Sequence, residues 1–261
     1  PRLLSENFSQ NFIEIEDFGK KTLFDILKTK RNNKFKIYKK ILVTLIKLQN
    51  IKVKKIKNFK KKFYKIPIYS KSLLLKEVNL FFEWYIPHIF NKKKRFKIDS
   101  QLKKVTSSLL KKIKLPNNTF VHRDFHVSNL MLKKKVISVI DSQDAVYGNM
   151  AYDLASLIDD VRLRTSKNMK EMIYQEYLYL NKKKINIKKF KNDFEILSVL
   201  RNLKIIGIFS RLANRDNKKQ YLKLIPYAWE LIELRIKGND IFKDLKKNLE
   251  ANFPKKIRIK K

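Results

Sequence analysis

The chain has 261 residues with a hydrophobic fraction of 44%, enough for one large domain or two modest ones around a sizeable core. Its apolar runs, such as residues 73–75 and 80–82, are broken by charge long before the roughly 20 residues that a membrane-spanning helix needs, and residues 1–6 lack the pattern of a secretory signal. With no cysteine there is no disulfide and no thiolate metal site, which fits a reducing cytoplasm and fits other compartments as well.

The 62 basic residues against 24 acidic ones, a net +38, raise a nucleic-acid partner as one reading. The excess is dominated by lysine, however, and comes with abundant Ile, Asn, Phe and Tyr and only 4 Gly and 6 Pro. These are residues with codons rich in A and T, so drift in base composition filling solvated faces explains the charge better than a selected polyanion. Such a field still steers small anionic substrates. There is no initiating Met, and Pro1 reads as a fragment end.

In chain order, residues 11–16 alternate apolar and acidic positions like a strand and break at Asp17-Phe18-Gly19. Residues 35–50 place Tyr38, Ile41, Leu42, Leu45 and Leu48 at helical spacing. A lysine-heavy connection over about 51–70, including the run 54–62, reads as a solvated loop or helix end. Ser72 is placed to cap a helix through Leu73, Glu77, Leu80, Phe81, Trp84 and Tyr85 to about Phe90. Another helix is expected from about Ser100 to Lys112, stopped by Pro116.

Short strands follow at 119–121, 130–132 and 136–140, the last two joined by a turn at Lys133-Lys134-Lys135. From Met150 the pattern is helical again, over about 150–163, 168–181, 190–213, 218–237 and 240–251. Lysine clusters at 182–184, 188–189, 246–247 and 255–261 read as exposed turns and a frayed basic tail.

The stretch Val121-His122-Arg123-Asp124-Phe125-His126-Val127-Ser128-Asn129-Leu130-Met131 contains H-x-D-x-x-x-x-N, and Asp141 ends the apolar strand that follows. Phosphoryl transfer asks little covalent chemistry of a protein. It needs a carboxylate for the acceptor hydroxyl, hard oxygen ligands for Mg²⁺ and cations near the phosphates. Asp124 suits the first task; Asn129 and Asp141 suit the second, brought face to face by the 130–140 hairpin. A lone Asp or Asn in a loop is usually a turn former, but the joint order, spacing and strand context favour the chemical reading.

His122 reads as an orienter of the loop rather than a proton carrier, and His126 as a loop bonder or a neighbour of phosphate. His88 has no motif around it. Asp153, in the first turn of its helix, is placed to bond backbone N–H groups of the loop. Gln143 and Asp144 stand where acceptor hydroxyls are expected, with turn capping the equal alternative. The three His show no zinc-ligand spacing, and no G-x-S-x-G elbow is present.

These residues resemble the aminoglycoside-phosphotransferase-like branch of the protein-kinase-like fold. Within it the stretches 121–131, 139–148 and 152–157 are most similar to anomeric kinases that phosphorylate N-acetylmuramate and N-acetylglucosamine at C1 in peptidoglycan recycling of the bacterial cell wall. The segment 77–85, of the form E-x-x-L-F-x-E-W, and the segment 201–211 agree with that likeness, which runs from about residue 1 to 235.

The resemblance implies an α+β, protein-kinase-like fold. A remnant of a strand-rich N-terminal lobe with its hinge would occupy 1–19, a mainly helical large lobe 20–252, and a basic tail 253–261. It implies ATP as co-substrate, Mg²⁺, and a small sugar or alcohol acceptor. Asp124 would be the base, with Asn129 and Asp141 as metal ligands. His122, Arg123, His126 and Asp153 would orient the loop, and Glu16, Asp17 and Phe18 would form the ATP hinge.

For the acceptor pocket the resemblance offers Glu77, Trp84, Gln143, Asp144 and Arg211. Their plainer readings are a helix salt bridge, a core aromatic, two turn residues and a surface cation. Ser142 departs from the Phe usual after the metal aspartate, and the phosphate-covering loop and strand lysine of such a family would precede this chain. The remaining readings are a kinase of another alcohol (aminoglycoside, choline, homoserine or methylthioribose) and a non-catalytic basic binding protein on a decayed kinase fold.

Overall fold

The computed structural model describes residues 1–7, 9–29, 33–57, 60–133, 136–182 and 185–258. The expected turn residues Lys134 and Lys135, Lys183 and Lys184 of the 182–184 cluster, and the last three residues lie outside that set.

The front is an antiparallel hairpin of β1 (Leu3–Asn7) and β2 (Phe12–Ile15). The alternation at 11–16 does form a strand, but no core covers either face: Leu3, Leu4, Phe12, Ile13 and Ile15 are all half exposed. After Gly19, in the left-handed region at φ +84°, a capping box of Thr22 and Asp25 starts α1 (Leu23–Lys28), too short to announce itself by periodicity. Asn33 caps α2 (Lys34–Gln49), which buries Tyr38, Ile41, Leu42 and Leu45 on the expected face.

Residues 51–57 and 60–70, the described part of the stretch expected as a solvated loop or helix end, include paired strands; Asn58 and Phe59 of the 54–62 run lie outside the described residues. The strands form a hairpin of β3 (Lys55–Lys57) and β4 (Phe63–Lys65), all of whose strand residues are exposed. Backbone pairing rather than burial holds it, so its side chains carry no strand signature. The cap of α3 (Lys71–Leu80) is Ser70, whose side chain accepts from Leu73 N at 3.2 Å, and not Ser72, which lies inside the helix. One π-helical segment, Phe81–Tyr85, joins α3 to α4 (Ile86–Ile89). The next helix, α5 (Lys92–Lys111), begins at an Asn91 cap, well before Ser100, because its lysine-rich first turns have no apolar stripe to betray them.

Two small ladders follow. β5 (Thr119–Val121) pairs with β8 (Val146–Gly148), and β6 (Leu130–Lys133) pairs with β7 (Val136–Val139), both antiparallel. The rest is helical: α6 (Ala151–Ile158), α7 (Lys167–Leu180), α8 (Ile187–Asn214), α9 (Ile225–Ile236), α10 (Lys243–Asn252) and α11 (Lys255–Arg258). α6 stops short of the expected 163 because Asp159 and Asp160 leave the helix and stay buried. The chain from 253 is no frayed tail as far as 258. Phe253 is fully buried, and the Arg258 guanidinium donates to Phe253 O, to Leu249 O at 2.9 Å and to Glu233 at 2.7 Å. Among the described residues no helix is long and apolar enough to cross a membrane.

α8 is the axis of the core, packed against α3, the π-helical segment, α6 and α9. The contact is closest at Gly207, where a Cβ would fall 2.3 Å from the Leu80 carbonyl carbon and 2.4 Å from Phe81 N. Neither obstacle is a movable side chain. Gly207→Ala gains about 1 kcal/mol of helix propensity, so a net loss isolates the clash. We expect a net loss of about 2 kcal/mol, read as a thermal midpoint roughly 4–8 °C lower.

Candidate active site

The loop from His122 to Asn129 hangs between the two ladders. At its start Arg123 takes φ 73°, and across the β6–β7 hairpin Asp141 takes φ 68°, both in the left-handed region that side chains avoid. The loop is held there by Asp153, 1% exposed, whose carboxylate accepts from His122 N at 2.7 Å and Arg123 N at 3.0 Å. Burial pushes the Asp153 carboxyl up to about 7, against these two donors. His122 Nε2 lies 3.0 Å from Ile140 O; since a carbonyl only accepts, Nε2 carries the proton. Burial holds the His122 pKa down, so the neutral ring ties the loop to the strand that delivers Asp141.

Asp124, Asn129 and Asp141 come together at the mouth of this frame. The Asn129 amide nitrogen donates to Asp124 O at 3.0 Å and to Asp141 Oδ2 at 3.4 Å, so neither bond uses the amide oxygen. Gln143 Nε2 donates to the other Asp141 oxygen at 2.6 Å. Among the described residues, nothing hydrogen-bonds the Asp124 carboxylate. Burial pushes that carboxyl up, but the charges of Lys204, Arg201, His126 and Arg162 more than offset it and hold it below its ordinary value. His126 is 5% exposed, and burial, reinforced by Arg162, lowers its pKa to about 4.

Glu77 is the centre of a buried polar knot behind the loop. One carboxylate oxygen accepts from Arg123, the other from the Tyr69 hydroxyl and, at 3.0 Å, from Lys204. Burial raises its pKa, and Lys204, Tyr69 and Arg123 together bring it below the ordinary value. Glu77 therefore faces inward, joining α3 to the loop and to α8. The same Arg123 donates to Asp144 O at 3.2 Å, while the Asp144 side chain is exposed.

Lys133 joins the expected hinge to β6. Its Nζ donates to Glu16 at 3.1 Å and to Asp17 O at 2.8 Å, and lies 5.5 Å from the Phe18 ring centroid. Trp84 is half-buried in the π-helical segment and Arg211 half-buried on α8. Among the described residues neither hydrogen-bonds nor ion-pairs with the 122–129 loop. Of the cations around Asp124, Arg201 and Lys204 lie in the 201–211 segment that carries part of the resemblance but have no role assigned by it, and Arg162 has no motif around it. Their signal is Arg201 and Lys204 standing three residues apart in the otherwise apolar middle of α8.

A mainly helical α+β domain with this loop and these short ladders has the fold of kinase-like phosphotransferases. The chain belongs to the phosphotransferase enzyme family, whose model matches residues 40–184. It is similar to the N-acetylmuramate/N-acetylglucosamine kinase of Pseudomonas aeruginosa, at 26% identity over 244 residues, 90% of this chain and 68% of that protein. The protein of the same description from Neisseria meningitidis serogroup B is 32% identical over 166 residues, 62% of this chain and 50% of that protein. The chain thus spans between half and about two thirds of the length of these relatives. Among solved structures, Plasmodium vivax ethanolamine kinase matches with a TM-score of 0.55 at 16% identity, over 89% of this chain and 65% of that one, a likeness of fold.

The donor set fits a magnesium ion. Among the described residues no cluster of three or more His, Cys, Asp or Glu is built for a metal. Mg²⁺ asks for less: one or two protein oxygens, with phosphate and water completing its shell. The Asn129 amide oxygen and the Asp141 carboxylate are such a pair.

Proposed function

We propose that the protein is an ATP-dependent sugar kinase that phosphorylates the anomeric C1 hydroxyl of N-acetylmuramate or N-acetylglucosamine, in the cytoplasm, as a step of cell-wall recycling. The observation that carries the reading is the Asp124 carboxylate, ionised and unbonded beside Asn129 and Asp141. The sugar is supported by the names of the two relatives.

The hinge 16–18 meets adenine through its backbone. Asp124 accepts the proton of the C1 hydroxyl as that oxygen bonds the γ-phosphorus; the bond from the γ-phosphorus to the bridging oxygen breaks, and ADP leaves. Asn129 and Asp141 would hold Mg²⁺, which would offset charge on the phosphates. His122, Asp153 and Arg123 hold the loop so that Asp124 points at the acceptor. Trp84, Gln143, Asp144 and Arg211 are the proposed walls of the acceptor site, with Glu77 braced behind them.

The test is ADP release by the full-length protein over a panel of acceptors: both amino sugars, an aminoglycoside, choline, ethanolamine, homoserine and methylthioribose. The expected product is a non-reducing, acid-labile sugar phosphate. Turnover of choline or ethanolamine with none of either sugar would replace this reading. Salt-dependent RNA binding without any phosphotransfer would remove catalysis altogether.

A further inference from the structure

Three cations surround Asp124, and two of them have partners. Lys204 Nζ is 3.0 Å from Glu77, and Arg162 Nη1 is 3.5 Å from Asp160. Arg201 has none. It is 4% exposed, its Nη1 is buried without a hydrogen-bond partner, and among the described residues its guanidinium makes no hydrogen bond and no ion pair.

A guanidinium taken out of water without a counter-charge is unfavourable, and its planar fork matches a carboxylate. The acids around it do not fill that role. Both Asp153 oxygens are taken by backbone N–H groups, Asp160 holds Arg162 with one oxygen while its other, buried without a hydrogen-bond partner, makes no ion pair with Arg201, and Glu77 is saturated by Arg123, Tyr69 and Lys204. Asp124 has to stay open for the acceptor hydroxyl.

The position of Arg201 also indicates which ligand it serves. Arg201 comes from α8, which packs on α3 and α6, while Asn129 and Asp141 sit at the β6–β7 hairpin. Lys204, one turn on from Arg201 along α8, reaches Glu77, which in turn holds Arg123 beside Asp124, so the stretch of α8 that carries Arg201 lies behind the Asp124 loop. An anion paired with Arg201 would therefore stand beside the Asp124 loop and not at the Asn129–Asp141 pair.

Resting on the proposed sugar-kinase activity, we infer that Arg201 receives a carboxylate of the acceptor, making the acidic sugar N-acetylmuramate preferred over neutral N-acetylglucosamine. The two sugars share the ring, the acetamido group and the reacting C1 hydroxyl. They differ in the lactyl ether of the first, whose carboxylate is the one anionic group available to the guanidinium.

The test measures kcat/KM of the full-length protein at saturating ATP and pH 8, with wild type, Arg201→Gln and Arg201→Lys. Wild type is expected to favour N-acetylmuramate by about 10-fold or more. Arg201→Gln should lower kcat/KM for N-acetylmuramate, mainly through KM, on the order of 30-fold more than it lowers kcat/KM for N-acetylglucosamine, a ratio from which any common effect through Asp124 cancels. Arg201→Lys should restore part of the loss. Should the Gln variant fail to fold, the methyl ester of N-acetylmuramate asks wild type the same question: without the charge it should be used no better than N-acetylglucosamine. Equal losses on both sugars, a wild-type preference for N-acetylglucosamine, or an ester used as well as the acid overturns this inference and leaves the sugar-kinase reading standing. No turnover of either sugar overturns both.

Discussion

Asp124→Asn is expected to lower kcat by about 10³-fold or more while leaving the fold intact. Nothing hydrogen-bonds the Asp124 side chain among the described residues, and the loop is fixed through backbone atoms: Asp124 O takes His126 N and the Asn129 amide, both at 3.0 Å, and Asp153 takes His122 N and Arg123 N. The amide is the same size and no hydrogen bond is lost, so only the charge beside Lys204, Arg201 and Arg162 is removed and the thermal midpoint should fall by no more than about 5 °C. It cannot accept the acceptor's proton at neutral pH.

The pH profile is a second readout of the same residue. Burial pushes the Asp124 carboxyl up, and Lys204, Arg201, His126 and Arg162 bring it below its ordinary value. The ionised base is then fully populated across pH 5–8, and the limb of the kcat profile due to this group falls on the acid side of the usual carboxylate range. Measured kcat within about 3-fold of wild type in the Asn variant would sink the assignment of Asp124 as base.

The residues of the centre were legible because strand, loop and hairpin keep them close in sequence, so spacing alone predicts that Asn129 and Asp141 meet. Asp153 was legible because a first-turn acid has few other places to go. Arg201, Lys204 and Arg162 were not, since their approach to Asp124 depends on how α8 and the turn after α6 pack, and packing has no local spelling. The same division holds for the fold. α2, α7 and α8 bury a stripe and declare it; β1, β3 and β4 bury almost nothing, and the first turns of α5 are a lysine face. Glu77 shows the middle case. Its helical place was readable, but only the fold shows its carboxylate spent on Arg123, Lys204 and Tyr69 rather than open to the cleft.

Asp159→Ala is expected to be the most damaging substitution outside the active centre. Asp159 is fully buried where α6 ends, and it accepts a two-pronged bond from Arg235 (2.8 and 3.0 Å), one from Lys170 Nζ at 3.1 Å and one from the Ser198 hydroxyl. One carboxylate thus joins α6, α7, α8 and α9. Replacing a buried ion network by apolar groups can be neutral, but deleting one member leaves the rest uncompensated. Here the remainder is two cations, Lys170 at 5% and Arg235 at 15% side-chain exposure, with Arg235 also held 4.8 Å from the Phe194 ring centroid. The expected loss is about 3–5 kcal/mol, a thermal midpoint lower by roughly 10 °C. Asp159→Asn should lose nearly as much, because it keeps the volume and removes the charge.

The pH dependence separates charge from packing. Burial raises the Asp159 carboxyl, and Arg235 and Lys170 more than offset it, holding it far below the ordinary range. A depressed folded-state pKa gives stability that is present above the unfolded value, about 3.9, and is lost as pH falls below it toward the folded one. The gap between wild type and Asp159→Asn should therefore be full at pH 6 and shrink below pH 4. A gap that stays constant from pH 6 to pH 3 would show that Asp159 acts through shape and neutral hydrogen bonds, and that its charge is not what holds Lys170 and Arg235 in the core.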